Sequence, residues 1–299
     1  MPLCSAAIGS SSQSHDIDVS ARRMIAYAAG LGETAPCYLD DAASEGIVAH
    51  PAFCVSLEWP PALELRNAAA LGITQAEKMR GVHALQDSTF HRPIRQGDRL
   101  STVARIVQIR AVRPGAFVLT KFATVDRRTS EPVVTSYSGG IYRGVGITGE
   151  DAEIETPSPV DSITEAADAD TIISIPIARQ APHVYTECAD IWNPIHTERT
   201  VALAAGLPDI ILHGTATWAL AASHIIQRCA DGNPARLCRF VGRFTAMVIP
   251  GTTIQLHYHT IVHNGSTIVR FRVNNVDGEP AISNGMAIIM PASGRENGA

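Results

Sequence analysis

The chain is written twice. Laid over one another, Tyr27 to Tyr38 and Tyr185 to His196 bring tyrosine onto tyrosine and Pro36 onto Pro194, with Tyr38 where the second copy has His196. Later landmarks recur in the same order: Pro93 to Leu100 against Ile249 to Leu256, Arg113-Pro114-Gly115 against His263-Asn264-Gly265, and Glu131-Pro132 against Glu279-Pro280. Such self-similarity restricts the fold to two like units in tandem. Between the landmarks run alternating stretches rich in Val, Ile and Thr and bounded by Gly, Pro or Asn: Leu100 to Ile109, Phe117 to Val125, Ile254 to Val262 and Thr267 to Asn274. Alternation over this length predicts half-buried strands. Each unit therefore reads as helix first, then a strand meander. The acidic, Ser/Thr/Pro-rich segment 149–170 suits an exposed linker. The expected organisation is a flexible N-terminus over 1–15, a first unit over 16–148, the linker, a second unit over 171–292 and a flexible tail over 293–299.

With 299 residues and 45% hydrophobic side chains, the chain supplies enough apolar surface for real cores. Its net charge of -5 and scattered Lys and Arg leave no nucleic-acid footprint. A coenzyme A group stays compatible, since a few surface arginines suffice for its phosphates. No apolar run reaches the roughly 20 residues needed to span a bilayer; the richest, Ile210 to Ile226, reads as a buried helix. Six cysteines without CxxC spacing and the absence of a secretory pattern predict a soluble, reducing, cytoplasmic setting.

The second unit carries the residues that look built for chemistry. Asp190-Ile191-Trp192-Asn193-Pro194-Ile195-His196 puts an amide, a rigid turn and an imidazole within four positions. Pro194 fixes its own φ and pushes Asn193 toward extended backbone, so Asn193 and His196 are expected on one side of a turn. Further on, Leu212-His213-Gly214-Thr215 opens an apolar helical stretch whose first amides lack internal partners and suit a developing oxyanion. The first unit has His50-Pro51 at the equivalent place, and proline has no N–H to offer.

The stretch from Tyr185 to Ile226 resembles the MaoC-type (R)-specific enoyl-CoA hydratase family, whose motif is Asp-x-Asn-Pro-(Leu/Ile)-His. Asn193, Pro194, Ile195 and His196 fit it position by position, but the motif's aspartate falls on Ile191, with Asp190 one place too early. Pro93 to Asp98 resembles the strand-opening turn of the family's N-terminal domain, so the likeness covers nearly the whole chain. It implies an α+β double hotdog, in which each repeat wraps a curved antiparallel sheet around a central helix. Two units side by side would bury the sheet edge that one leaves open. The resemblance also implies a water held for addition to the β-carbon of a trans-2-enoyl thioester, with no cofactor beyond the coenzyme A or acyl carrier of the substrate.

On this reading His196, Asn193 and Asp190 are the catalytic candidates, and Gly214, His213, Thr215 and Trp192 bind substrate or its oxyanion. Tyr38 and Ala35 replace the imidazole and amide in the first unit, which becomes the substrate-accommodating half. Its central helix, starting near Ala52 and disturbed at Pro60-Pro61, is expected to open a groove for an acyl chain. The lost aspartate leaves Asp190, Glu187, Glu33 and Glu58 as carboxylates to weigh; Asp190 sits next to the motif, but neighbouring extended residues point to opposite faces. Plainer roles stand beside these: Asn193 as a turn former, His213 as a helix-start residue, Trp192 and Tyr185 as walls, Cys188 as an inert thiol. His257 and His259 share a strand face without further ligands, so no metal is expected. The leading function is a hydro-lyase on acyl thioesters. Alternatives are a thioesterase, a biosynthetic lyase or isomerase on another substrate, and a non-catalytic acyl-binding module. A homodimer of double hotdogs, without membrane or nucleic acid, is left open.

Overall fold

A computed structural model describes residues 1–159 and 171–291. The first half runs β1 (His15–Asp18), α1 (Ala21–Gly30), α2 (Cys54–Asn67), β2 (Gly81–Phe90), β3 (Arg99–Val112), β4 (Gly115–Asp126) and β5 (Pro132–Arg143). The second half repeats the series as β6 (Thr171–Pro176), α3 (Ala181–Ala189), α4 (Gly214–Cys229), β7 (Leu237–Phe244), β8 (Thr253–His263), β9 (Ser266–Asn274) and β10 (Pro280–Ile289). All ten strands join one antiparallel sheet in the order β1-β3-β4-β5-β2-β7-β10-β9-β8-β6, with a short strand, Ala152–Glu153, along β3. The order has the same form from either end, which is the pattern of a pseudo-two-fold axis between β2 and β7. Each half wraps its sheet around its central helix, α2 or α4, giving the expected double hotdog.

The four predicted strands fall inside β3, β4, β8 and β9. Each half, however, opens on an edge strand, β1 or β6, before its helix; four polar-alternating residues, HDID, are too few to announce β1 by period. The helix read over Ile210 to Ile226 begins only at Gly214. The prolines expected to disturb α2 do not: the helix passes through Pro60 and Pro61 unbroken. The N-terminal fifteen residues are also not loose. Leu3–Cys4 pairs in parallel with Ile147–Thr148, Ser11 bridges Arg105, and Leu3 and Ala7 pack into a core with Leu65, Leu71 and Ile106. Of the linker, Ala152–Glu153 pairs along β3, whereas 160–170 and the tail fall outside the described residues.

Two contacts hold the halves together. At the seam, β2 pairs with β7 from Arg239↔Thr89 to Arg243↔Leu85. There the buried Asp87 carboxylate accepts from Arg239 Nε at 2.8 Å and Nη2 at 2.6 Å, a bidentate pair with both groups largely removed from water. Near the axis, equivalent residues meet one another. Tyr27 and Tyr185 hydroxyls lie 3.1 Å apart; Tyr27 Oη donates to Ala52 O and Tyr185 Oη to Thr215 Oγ1, each at the start of a central helix. Gly30 faces its own counterpart, Cys188, so closely that a Cβ would stand 2.5 Å from Cys188 Cβ. The larger apolar core, from Val19 and Met24 through Trp218 to Ile289, runs across the seam, while a second, around Leu65 and Ile106, belongs to the first half alone.

Removing one member of a buried, hydrogen-bonded ion pair leaves the other uncompensated. Asp87→Ala is expected to lower stability by about 3 kcal/mol in urea unfolding, whereas a loss indistinguishable from that of an exposed pair such as Arg199–Asp209 would contradict the seam's role.

Candidate active site

A cavity of about 340 Å³ lies between the halves, with walls from both. His196 reaches it from the single 3₁₀ turn Pro194–His196, capped by Asn193, whose Oδ1 accepts from Ile195 N–H at 3.5 Å. Both Asn193 and His196 line the cavity, as the motif predicted, and Asn193 serves the turn at the same time. His196 Nδ1 lies 2.8 Å from Ile211 O, a carbonyl that only accepts, so Nδ1 carries the proton and Nε2 keeps a lone pair. Burial pulls the pKa down to about 4, against the opposing pull of the Ile211 carbonyl. His196 is thus a neutral imidazole with one free basic nitrogen.

His213 stacks on it, ring centroids 3.7 Å apart and planes 26° from parallel. Its Nε2 sits 3.2 Å from Thr186 Oγ1, and burial, then the neighbouring His196, lower its pKa to about 2. Two imidazoles in face contact would repel as cations, so the stack holds both neutral. Immediately after His213, α4 begins. The first amides of a helix find no partner inside it, and Gly214 and Thr215 both line the cavity. Gly214 packs tightly under the Phe244 ring: a Cβ would stand 3.0 Å from it, so the ring would have to shift to admit one.

The other sequence-derived candidates separate. Asp190 is not in the site. It closes α3 in the left-handed region (φ 56°, ψ 42°), and its carboxylate, 80% exposed, pairs with Arg23 at 3.2 Å. The residue that follows, Ile191, turns into the core. Trp192 stands outside as well, 60% exposed with Nε1 donating to Glu198. Glu33 is enclosed beside His50 in the first half and does not line the cavity. There His50 Nδ1 accepts from Ala52 N–H at 3.1 Å, which leaves Nε2 as the donor facing Ser223 Oγ at 3.2 Å, with Glu33 Oε1 3.9 Å away.

Glu58 does join the site. It projects from α2 of the first half, 5% exposed, and among the described residues it is the one carboxylate lining the cavity. Gln86 Nε2 donates to its Oε2 at 3.0 Å, while Oε1 has no partner in the described structure. Burial raises its pKa above the ordinary carboxylate range. Sequence reasoning missed Gln86, and also His83, whose Nε2 lies 2.8 Å from Leu85 O and 2.9 Å from Ser138 Oγ. Polar residues inside an apparently ordinary strand, β2, were the available signal.

Known proteins share this architecture. Residues 164–283 match the MaoC like domain, and residues 6–136 match the FAS1-like dehydratase domain region. The second half of the chain belongs to the MaoC-like dehydratase family. Among the family's curated relatives, "Probable enoyl-CoA hydratase 2" of Dictyostelium discoideum is 27% identical over 190 residues, 64% of this chain and 63% of that one. "3-hydroxyacyl-thioester dehydratase Y" of Mycobacterium tuberculosis is 27% identical over 206 residues, 67% of this chain and 68% of that one. The chain thus spans less than two thirds of the Dictyostelium protein, and 14% of "Peroxisomal multifunctional enzyme type 2" from Mus musculus, which is 33% identical over 112 residues. In fold, the MaoC-like dehydratase from Phytophthora capsici superposes with a TM-score of 0.82 at 21% identity, covering 95% of this chain and 96% of that one. Among the described residues no helix is long and apolar enough to cross a membrane.

An unfolded imidazole titrates near 6.5, whereas folding holds His83 and His196 at about 4, His50 at about 3 and His213 at about 2, in each case chiefly by burial. Between those values and 6.5 the unfolded chain binds protons that the folded chain refuses. Stability is therefore complete above about pH 6.5 and declines as the pH falls toward 4. A thermal midpoint that stays level across that window would show these rings to be open to protonation.

Proposed function

We propose that this protein is a hydro-lyase that adds water across, or removes it from, the 2,3 bond of an acyl thioester. The observation that carries the reading is the pairing, across one cavity, of a neutral imidazole with a free nitrogen and a buried carboxyl group of raised pKa. Both shifts favour the forms that hydration needs at the outset: a base to take a proton from water and an acid to give one to carbon. His196 Nε2 takes a proton from a water that Asn193 helps to orient, and the water oxygen bonds to the β-carbon. The 2,3 π electrons move toward the thioester carbonyl, whose oxygen gains negative charge and receives the amide hydrogens at the start of α4, Gly214 first. The enolate collapses as the α-carbon takes the proton of Glu58. His196 is then cationic and Glu58 anionic, and one proton passing back through solvent restores both. Dehydration is the same sequence reversed.

The family resemblance and the names of the curated relatives support this chemistry. The displacement of Asp190 sets this chain apart, since its acid comes from the other repeat. Six free cysteines support placing the reaction in the cytoplasm.

Crotonyl-CoA tests the proposal. The enoyl absorbance is expected to fall without release of free thiol; thiol release would mean hydrolysis, and no change with any acyl length would remove the assignment. His196→Ala is expected to cost about 10²- to 10⁴-fold in kcat/KM, the usual weight of a positioned base, while Asp190→Asn stays near the parent. For Glu58→Gln the expected result is a large loss in kcat with KM little changed. In the parent, kcat/KM declines on the acid side near pH 4, where His196 gains its proton, and on the alkaline side where Glu58 loses its own. If the Asp190 variant fails and the Glu58 variant does not, the carboxylate has been assigned to the wrong half.

A further inference from the structure

The cavity does not stop at the reacting groups. One face of α2 lines it from Val55 through Glu58, Ala62 and Leu65 to Arg66. Glu58 and Arg66 are eight residues apart, so the cavity continues for about 12 Å along the helix beyond Glu58. Strand β2 runs beside it the other way, from Gln86 at the inner end to Gly81 at the outer. The intervening walls are mostly apolar, with Leu71, Ile106, Val118 and Phe122 contributing from the first half. They suit methylenes and offer little to the amides of a pantetheine arm, which would leave hydrogen bonds unmade.

At the outer end the chemistry changes abruptly. Arg66 and Arg143 line the mouth, and two further cations are tied to them through the backbone: Arg66 Nη2 donates to Lys78 O at 2.9 Å, and Arg143 N–H donates to Arg80 O at 3.2 Å. Among the described residues none of these four side chains forms an ion pair with a carboxylate. The acid beside Lys78, Glu77, is occupied in the capping box of Thr74. Tyr142 completes the mouth. It is 8% exposed, and its ring lies over Gly81, where a Cβ would stand 3.2 Å from it. Arg66 is close enough to Tyr142 to favour its ionised form, although burial raises the hydroxyl's pKa overall. Arg66, Tyr142 and Arg143 thus all line this end of an otherwise mostly apolar channel, and their donors suit a planar anionic oxygen pair.

We propose that this mouth recognises a carboxylate at the distal end of the acyl chain, so that the preferred substrates are ω-carboxyacyl thioesters of medium length. With each carbon advancing the chain by somewhat less than the ~1.5 Å of a C–C bond, the span corresponds to roughly eight to ten carbons between the reacting bond and the terminal group. The proposal rests on the preceding reading, in which the thioester reacts at the His196 end. It differs from it in naming what lies at the other. The same cations would also suit the phosphates of coenzyme A entering from this side, and the two sources of anionic oxygen make different predictions.

Binding of saturated, unreactive ligands separates recognition from chemistry. The CoA thioester of dodecanoic acid and the mono-CoA thioester of dodecanedioic acid, titrated calorimetrically into the intact protein, are expected to differ at least tenfold in Kd in favour of the second. Raising the salt should narrow the gap. Arg66→Met is expected to remove most of the preference while leaving dodecanoyl-CoA affinity near its parent value, and Arg143→Met, at an exposed position, gives the same direction with less risk to folding. Equal Kd values in the parent overturn the proposal. So does an equal weakening of both ligands in the variants, which would mean that the cations hold the phosphates common to both. Hydration of crotonyl-CoA by the parent protein is read separately, so a failure of the chemical assignment cannot be mistaken for a failure of this one.

Discussion

Everything in this molecule depends on the pairing of β2 with β7. Without it each half is a five-stranded sheet with an open inner edge; with it, ten strands share their backbone hydrogen bonds and the cavity acquires its second wall. The pairing is specified chemically as well as geometrically. Asp87 on β2 is buried, and its two oxygens are met by the two nitrogens of Arg239 on β7. Gly242, opposite Gln86, removes the side chain that would otherwise meet Trp218 and Ile282, so α4 lies close against the sheet at the junction. Near the axis, Tyr27 against Tyr185 and Gly30 against Cys188 complete a contact surface in which equivalent positions face one another, as two-fold related surfaces must.

That geometry explains the division of labour at the cavity. Hydrophobic enclosure disfavours charge on every ionisable group inside it, in opposite protonation senses: imidazoles lose their protons and a carboxyl keeps its own. His196 and His213 are neutral together because they are stacked and dry; burial raises the Glu58 pKa, against the lowering pull of hydrogen bonds from Ser136, Gln86 and Cys54. The acid and base of the proposed reaction thus follow from one cause, exclusion of water, acting on two residue types.

The sequence carried the local features and lost the distant ones. The duplication, the long alternating strands and the Asn193-Pro194-Ile195-His196 turn were legible, because each depends on residues close together in the chain. Gly214 was legible for the same reason, as the first residue of an apolar helix. Asp190 misled: its place beside the motif says nothing of the left-handed backbone at the end of α3 that points it to solvent. Glu58 appeared only as one of several carboxylates, since its meeting with His196 across the cavity depends on packing between halves. Leu3 and Ala7 show the same limit: a Ser-rich stretch is loose by composition until a neighbouring groove fits it.

The placement of β2 at the seam has a consequence for how the chain is made. All of the first repeat leaves the ribosome before β7 exists, and through most of the second repeat's synthesis the inner edge of the nascent sheet has no neighbour. Gln86, Asp87 and Ser88 lie along that edge, and Asp87 in particular penalises any strand that arrives without a cation to match it. The buried acid therefore guards the half-made protein against pairing with strangers, and the same carboxylate later becomes the latch that admits the strand encoded farther down its own message.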